Sequence, residues 1–100
     1  MTNSPRPDDP IELSVVIPCF NERENLADLH TRLLKALTGL NRPFELLFVD
    51  DGSTDGTQDV LAGLAADDER TKVLVFGRNF GQTAALMAGF DAARGGILAA

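Results

Sequence analysis

Short apolar runs alternate with segments of helical periodicity along the chain. Four runs are dense in apolar and β-branched residues, at 13–18, 44–49, 73–76 and 97–100. Such continuous runs are typical of strands that are buried on both faces of a sheet. Between them, apolar residues recur at helical spacing or alanine predominates, at 26–37, 60–65 and 82–93. The pattern therefore predicts four strands that alternate with three helices.

Polar residues and glycines mark the ends of the predicted helices. Asn21 is expected to cap the first helix, with Glu24 reaching back from the third helical position and Gly39 ending the helix. His30 is expected on the solvated, polar face of the same helix. The small residues of the third helix should let it approach the sheet closely, and Gly95 should close it.

Strands that alternate with helices through short loops imply right-handed crossovers and a mostly parallel sheet. We therefore predict an α/β fold of three layers, α/β/α, of the Rossmann-like kind. The pattern stops at the start of the fourth strand and leaves part of the sheet exposed, so we expect a truncated domain. Residues 1–12 are mostly polar and include three prolines, and we expect a disordered tail there.

Composition narrows the classes of partner. The formal net charge is -6 at pH 7 and the chain has no basic run, which argues against binding along a nucleic-acid backbone. The single cysteine, Cys19, is expected to be a small core hydrophobe in a reducing compartment. Residues 1–10 lack the apolar core of a signal peptide, and no later stretch approaches the roughly 18 apolar residues that a spanning helix requires. We therefore expect a cytoplasmic location and no nucleic-acid partner.

Polar clusters follow three of the predicted strands, where open α/β sheets bind ligands: 18–22, 50–55 and 77–81. Asp50 and Asp51 could accept hydrogen bonds from the edge of a uracil or guanine base, or from ribose hydroxyls. They could equally form turns and, with Asp55, cap the second helix, and spacing alone leaves both interpretations open. The chain has no G-x-G-x-x-G loop and no Walker lysine, which disfavours dinucleotide-binding proteins and ATPases.

Three further interpretations also stay open from the residues alone. Glu22 could bind a ligand or could simply lie favourably in the first turn of the first helix. Arg78 could contact a diphosphate or remain a solvated loop charge. The adjacent carboxylates of Asp50 and Asp51 could bind a cation, although a third oxygen cluster is missing.

Three strings together resemble family 2 glycosyltransferases of the GT-A fold: Ser14 to Asn25, Val49 to Thr57, and Arg78 to Gly81 followed by the Ala-rich helix. The resemblance runs from about Leu13 to Ala100. Within the family, Asn-Glu-Arg-Glu-Asn at 21–25 and Arg-Asn-Phe-Gly at 78–81 are most similar to polyprenyl-phosphate glycosyltransferases. These include dolichol-phosphate mannosyltransferase and its bacterial undecaprenyl-phosphate relatives. Residues 13–100 then correspond to the N-terminal part of a GT-A domain.

The resemblance implies transfer of a sugar, with inversion, from a nucleoside-diphosphate sugar to a polyprenyl phosphate at the cytoplasmic face of a membrane. It also implies that residues at matching positions contact the nucleotide: Pro18, Phe20, Glu22, Val49, Asp50, Asp51 and, carried over less directly, Arg78. Asp50 would support the turn or the base. It assigns no catalytic residue to this stretch.

The chain also departs from the family pattern. Relatives follow the fourth strand with an Asp-x-Asp element that binds Mg²⁺ or Mn²⁺, and these ligands are expected beyond Ala100, so the chain alone is expected to be inactive. Gly96 stands where relatives commonly carry Asp. The alternative from another class is a non-catalytic, truncated α/β module that binds a nucleotide or acts as an interaction module. A homo-oligomer that buries the open sheet would favour the interaction module.

Overall fold

A computed structural model describes residues 6 and 8–99, in which four strands and three helices alternate. The strands are β1 (Leu13–Cys19), β2 (Phe44–Asp50), β3 (Thr71–Val75) and β4 (Gly96–Ala99). The helices are α1 (Leu26–Thr38), α2 (Thr57–Asp67) and α3 (Gln82–Ala92). All strand pairs are parallel, in the order β3-β2-β1-β4. The predicted α/β class and the alternation of its elements are therefore confirmed, but α3 ends at Ala92 with Ala93 as its C-cap and is not closed by Gly95.

The core lies on both faces of the sheet because β2, in its middle, is buried along its whole length. On one face, Phe48 packs with Leu26 of α1 and Leu61 of α2. On the other face, Val16 packs with Ala85 of α3. The apolar runs thus form the central layer, and the helices form the two outer layers.

α3 approaches the sheet closely, as its small residues predicted. A Cβ atom added to Gly89 would lie 2.2 Å from Cγ1 of Val16, so only glycine fits at this point of the interface. The backbone of α3 can therefore lie directly on β1. In the described part of the chain, no helix combines the length and apolar character needed to cross a bilayer.

The predicted start of the first helix is wrong. α1 begins at Leu26 and its N-cap is Asn25, whereas Asn21 lies earlier, in the left-handed region with φ 51°. The reason is tertiary: the backbone N–H of Asn21 donates to Ser53 Oγ (2.9 Å), and its side-chain Oδ1 accepts from the N–H of Thr54 (2.9 Å). Asn21 therefore joins the two loops that follow β1 and β2, and it does not cap α1.

Two other expectations for α1 are also wrong. Glu22 and Glu24 precede the helix, so Glu22 is not in its first turn and Glu24 completes no capping box. His30 is buried, with 6% exposure, and its Nε2 lies 2.8 Å from Oγ1 of Thr71 at the start of β3. A polar partner on a neighbouring strand lets this side chain leave solvent. The end of the helix at Gly39 is as predicted.

β1 begins at Leu13, after a local turn in which the N–H of Arg6 donates to Oδ2 of Asp9 (2.7 Å). Residues 1–5 and 7 lie outside the described part of the chain, so the disordered tail at 1–12 stays a prediction. Ala100, the last residue of the predicted fourth strand, also lies outside it.

Candidate functional site

A cleft of about 250 Å³ opens at the carboxyl ends of β1 and β2, beside the start of α3. Its lining consists of Pro18, Cys19, Phe20, Glu22, Asp51 and Gln82. The structure thus brings Pro18, Phe20, Glu22 and Asp51 together in one cleft, although they come from two segments of the chain.

A larger cavity of about 640 Å³ lies at the opposite, amino ends of the strands, where Phe44 and Arg70 are among its lining residues. Arg70 is already paired there with Asp68, at 3.2 Å from Nε to Oδ1, and its guanidinium lies over the Phe44 ring. Because parallel α/β sheets bind ligands at the carboxyl ends of their strands, the smaller cleft is the better candidate.

The Asp51 carboxylate is buried, with 4% exposure, and faces the loop that leads into α3. Oδ1 accepts from the N–H of Phe80 (2.7 Å), and Oδ2 accepts from the N–H of Gly81 (3.0 Å) and from Nδ2 of Asn79 (3.1 Å). These three donors belong to consecutive residues, so the carboxylate holds the loop that leads into α3.

Asp50 differs from its neighbour because its carboxylate closes its own loop. Fully buried, it accepts from the N–H and the hydroxyl of Ser53 and from Nε2 of Gln58 (2.8 Å). This is the turn-forming role that the sequence left open. Val49, also fully buried, packs in the core beneath α3, so neither side chain lines the cleft.

Asp55 is not the N-cap of α2, which is Gly56, but it lies one residue earlier and binds the first residue of the helix. Its Oδ1 accepts from the N–H of Thr57 (3.0 Å) and from the Thr57 hydroxyl, and this side-chain hydrogen bond lowers the pKa of Asp55. The same hydroxyl accepts from the N–H of Glu22 (3.1 Å), and Nη1 of Arg23 donates to the Asp55 carbonyl (3.4 Å). The loops after β1 and β2 thus form one hydrogen-bonded unit.

Arg78 is outside the set of residues that line the cleft. Its guanidinium lies over the exposed ring of Phe80, with Cζ 4.8 Å from the ring centroid, and Phe80 meets Phe76 edge-on at 5.6 Å. The loop backbone itself packs closely on the residue after Asp51, since a Cβ on Gly52 would lie 2.3 Å from the carbonyl carbon of Arg78.

Sequence reasoning did not select Gln82 or Cys19 as residues of the site, although both line the cleft. Gln82 carries a signal that could have found it, because it is the first residue of a helix that follows a strand-end loop. Cys19 is buried as expected, and burial, followed by the charges of Asp50 and Glu22, raises the pKa of its thiol to about 12. The thiol is therefore protonated at neutral pH and is a poor nucleophile.

The fit of a divalent cation can be tested on the carboxylates of the site. Asp50 and Asp51 accept N–H and O–H donors, which a cation would have to displace. Across 8–99, no three His, Cys, Asp or Glu side chains lie together in a way that could hold a metal ion. The described residues therefore do not fit a cation site.

Comparison with known proteins places this geometry in a family. The sequence profile of Glycosyl transferase family 2 matches residues 14–100. Undecaprenyl-phosphate 4-deoxy-4-formamido-L-arabinose transferase of Pectobacterium carotovorum is 42% identical over 92 residues, which are 91% of this chain and 28% of the relative. Dodecaprenyl-phosphate galacturonate synthase of Rhizobium johnstonii is 40% identical over 90 residues, 89% of this chain and 27% of the relative. The chain thus spans less than a third of the length of these curated relatives.

Solved structures share the fold. S. aureus TarS superposes with a TM-score of 0.74 at 25% identity, over 90% of this chain and 16% of TarS. The mannosyltransferase PcManGT from Pyrobaculum calidifontis, solved in complex with GDP-Man and Mn²⁺, has a TM-score of 0.64 at 23% identity, over 90% of this chain and 26% of that chain. Since the family match starts at the second residue of β1 and runs through β4, the chain belongs to Glycosyl transferase family 2, as its resemblance implied.

Proposed function

We propose that the cleft at the carboxyl ends of β1 and β2 binds the nucleotide of a nucleoside-diphosphate sugar. The observation that carries this proposal is the lining of the cleft, in which Asp51 and Glu22 lie together with the half-exposed Phe20. Apolar walls with a few fixed polar groups are typical of small-molecule sites. The whole protein is then an inverting glycosyltransferase with a polyprenyl phosphate as acceptor, in line with the names of its relatives.

The lining residues suit different parts of the nucleotide. The ring of Phe20 offers a face for stacking a base, and Pro18 forms the wall beside it. A carboxylate has about four acceptor positions, and three on Asp51 are filled, which leaves one for an N–H of the base. The Asn25 amide donates to Oε2 of Glu22 (3.1 Å) and orients that carboxylate toward ligand hydroxyls.

The other predicted contacts act differently in this proposal. Val49 and Asp50 support the site from below, Val49 by packing and Asp50 by holding the loop that carries Asp51. Arg78 contacts the diphosphate when its guanidinium leaves the Phe80 ring. An acceptor phosphate is already anionic at neutral pH, so no general base is needed from this part of the chain.

The intact protein is proposed to bind a divalent cation through residues beyond Ala100. Such a cation would offset the charge that develops on the leaving diphosphate. For access to a lipid phosphate, the protein would work at the cytoplasmic face of a membrane.

Calorimetric titration of UDP and GDP into the folded protein tests the proposal. Phe20→Ala should weaken binding of the preferred nucleotide about tenfold, because stacking of a base on an aromatic ring contributes about 1–3 kcal/mol. Leu40→Ala is the matched control, since Leu40 is similarly exposed (53% against 46%) and is outside the residues that line the cleft.

An absence of binding heat for both nucleotides, in a protein with a cooperative unfolding transition, would contradict the proposal. A stable oligomer found in that same protein by sedimentation would favour the interaction module instead. Equal affinity of the wild type and Phe20→Ala would remove the stacking role of Phe20.

A further inference from the structure

The loop 77–81 is held on a single buried carboxylate. Asp51 accepts the backbone N–H groups of Phe80 and Gly81, 29 and 30 residues further along the chain. Gly81 lies at φ 101° and leads directly into α3. The carboxylate thus fixes both the loop and the first turn of the helix that borders the cleft.

A second contact holds the same loop independently of the carboxylate. Gly52, at φ 76°, lies so close to the loop that an added Cβ would be 2.3 Å from the carbonyl carbon of Arg78 and 2.5 Å from the backbone nitrogen of Asn79. The backbone of Gly52 thus packs against the loop with no room for a side chain between them. The loop is therefore seated on both residues that follow β2.

Asn79 is the side chain that closes this arrangement. Its Nδ2 donates to Oδ2 of Asp51 (3.1 Å) and to the Asp51 backbone carbonyl (3.2 Å), so that one amide holds the side chain and the main chain of the same residue. Asn79 itself is exposed and is outside the residues that line the cleft. The contacts of Asn79 with Asp51 therefore connect this side chain to the cleft.

We propose that Asn79 is a positioning residue of the nucleotide site. By donating to Oδ2 and to the backbone carbonyl of Asp51, it holds the carboxylate in the one orientation that joins the loop and still presents an acceptor to the cleft. A fixed carboxylate needs no reorganisation when the ligand arrives, which strengthens binding. This inference rests on the proposed nucleotide binding.

The experiment compares the wild type with Asn79→Ala, and Met87→Ala serves as control. Met87 is an exposed residue of α3 that is outside the lining of the cleft, so its variant should retain wild-type nucleotide affinity. Asn79→Ala should weaken UDP or GDP binding roughly tenfold, as expected when a hydrogen bond to a charged group is removed. In an Asp51→Asn background, the same substitution should have little further effect, because the carboxylate on which it acts is gone.

Hydrogen exchange gives a readout that does not depend on nucleotide. In Asn79→Ala, the amides of Phe80 and Gly81 should exchange about tenfold faster, because their acceptor is no longer fixed. The amide of Asp51 donates to the Cys19 carbonyl (2.8 Å) and should keep its rate.

The outcomes separate this inference from the proposed function. Unchanged exchange at Phe80 and Gly81 would overturn the positioning role. Faster exchange with unchanged affinity, in a protein whose wild type binds nucleotide, would also overturn it. A wild type that binds neither nucleotide would contradict the proposed function and, with it, the inference.

Discussion

Each end of α3 is held by a buried carboxylate: Asp51, the residue after β2, at the amino end, and Glu45 of β2 at the carboxyl end. Only Asp51 lines the cleft. At the amino end, Asp51 accepts from the backbone of the loop that precedes the helix. At the carboxyl end, Oε2 of Glu45 accepts from the N–H of Arg94 (2.8 Å) and from the hydroxyl of Ser14 (2.7 Å). That hydroxyl in turn accepts from the N–H of Gly95 (2.9 Å).

The difference between the two ends lies in what surrounds each carboxylate. Ser14 pairs with Glu45 across β1 and β2, and both are buried in the described structure, so the Glu45 network joins strands and helix only. Asp51 also borders a cleft whose other lining residues can contact a ligand. A buried carboxylate is therefore no sign of a binding site by itself. The open space beside Asp51 distinguishes it from Glu45.

The largest expected effect tests whether the Glu45 end is structural. Glu45→Ala should lower the free energy of unfolding by about 3 kcal/mol, because the Ser14 hydroxyl and the Arg94 N–H lose a buried acceptor. Glu45→Gln should cost less, since its carbonyl oxygen can still accept both donors. Urea denaturation measures both values. Equal losses in the two variants would contradict this prediction, because glutamine keeps both the volume and an acceptor oxygen.

A smaller effect is expected in the middle of α3, between the two carboxylates. Gly89→Ala should lower the free energy of unfolding by about 2 kcal/mol, since its Cβ would overlap Cγ1 of Val16 at 2.2 Å. Gly63→Ala in α2 is the matched control, because nothing lies within 4 Å of that Cβ position, and it should stabilise the protein by about 0.5–1 kcal/mol. If both variants are stabilised alike in thermal unfolding, α3 is not seated on β1 by Gly89.

The smallest effect concerns a buried polar pair on the other face of the sheet, away from α3. Burial lowers the pKa of His30 from 6.5, against the opposing charges of Asp68 and Asp67. Below pH 6.5 the unfolded chain therefore binds more protons than the folded one, so the free energy of unfolding should fall as pH decreases. The contribution of neutral His30 to that free energy is complete above pH 6.5.

Denaturation at pH 7.5 and 5.5 measures this loss in the wild type and in His30→Gln. The variant should be less sensitive to pH over that interval because its side chain does not titrate. A wild type whose stability is constant between the two pH values would contradict the lowered pKa.

Much of the fold follows from the sequence because local patterns and the parallel topology agree. Each apolar run became a strand, and the rule that ligands bind at carboxyl ends placed Pro18, Phe20, Glu22 and Asp51 at one cleft. Continuous apolar runs were sufficient to predict these strands, because a strand that is buried on both faces has no polar face to present to solvent.

The parts that sequence reasoning missed depend on contacts between distant residues. Asn21 is of a residue type that is common at N-caps, but its partners are Ser53 and Thr54, more than 30 residues away. His30 looked solvated because its partner, Thr71, is on a strand 41 residues further along the chain. The pairing of Asn79 with Asp51 is equally non-local. Local propensity cannot report such pairs, because only the assembled sheet brings them together.

The hydrogen bonds that join the loops after β1 and β2 have a consequence for protein engineering. Asn21, Glu22 and Arg23 each contact the segment 53–57, so these two loops do not move as separate parts. Substituting one loop with that of a relative would remove partners from the other. Loop grafting at this cleft therefore requires that residues 20–23 and 53–57 be exchanged together, as one hydrogen-bonded unit.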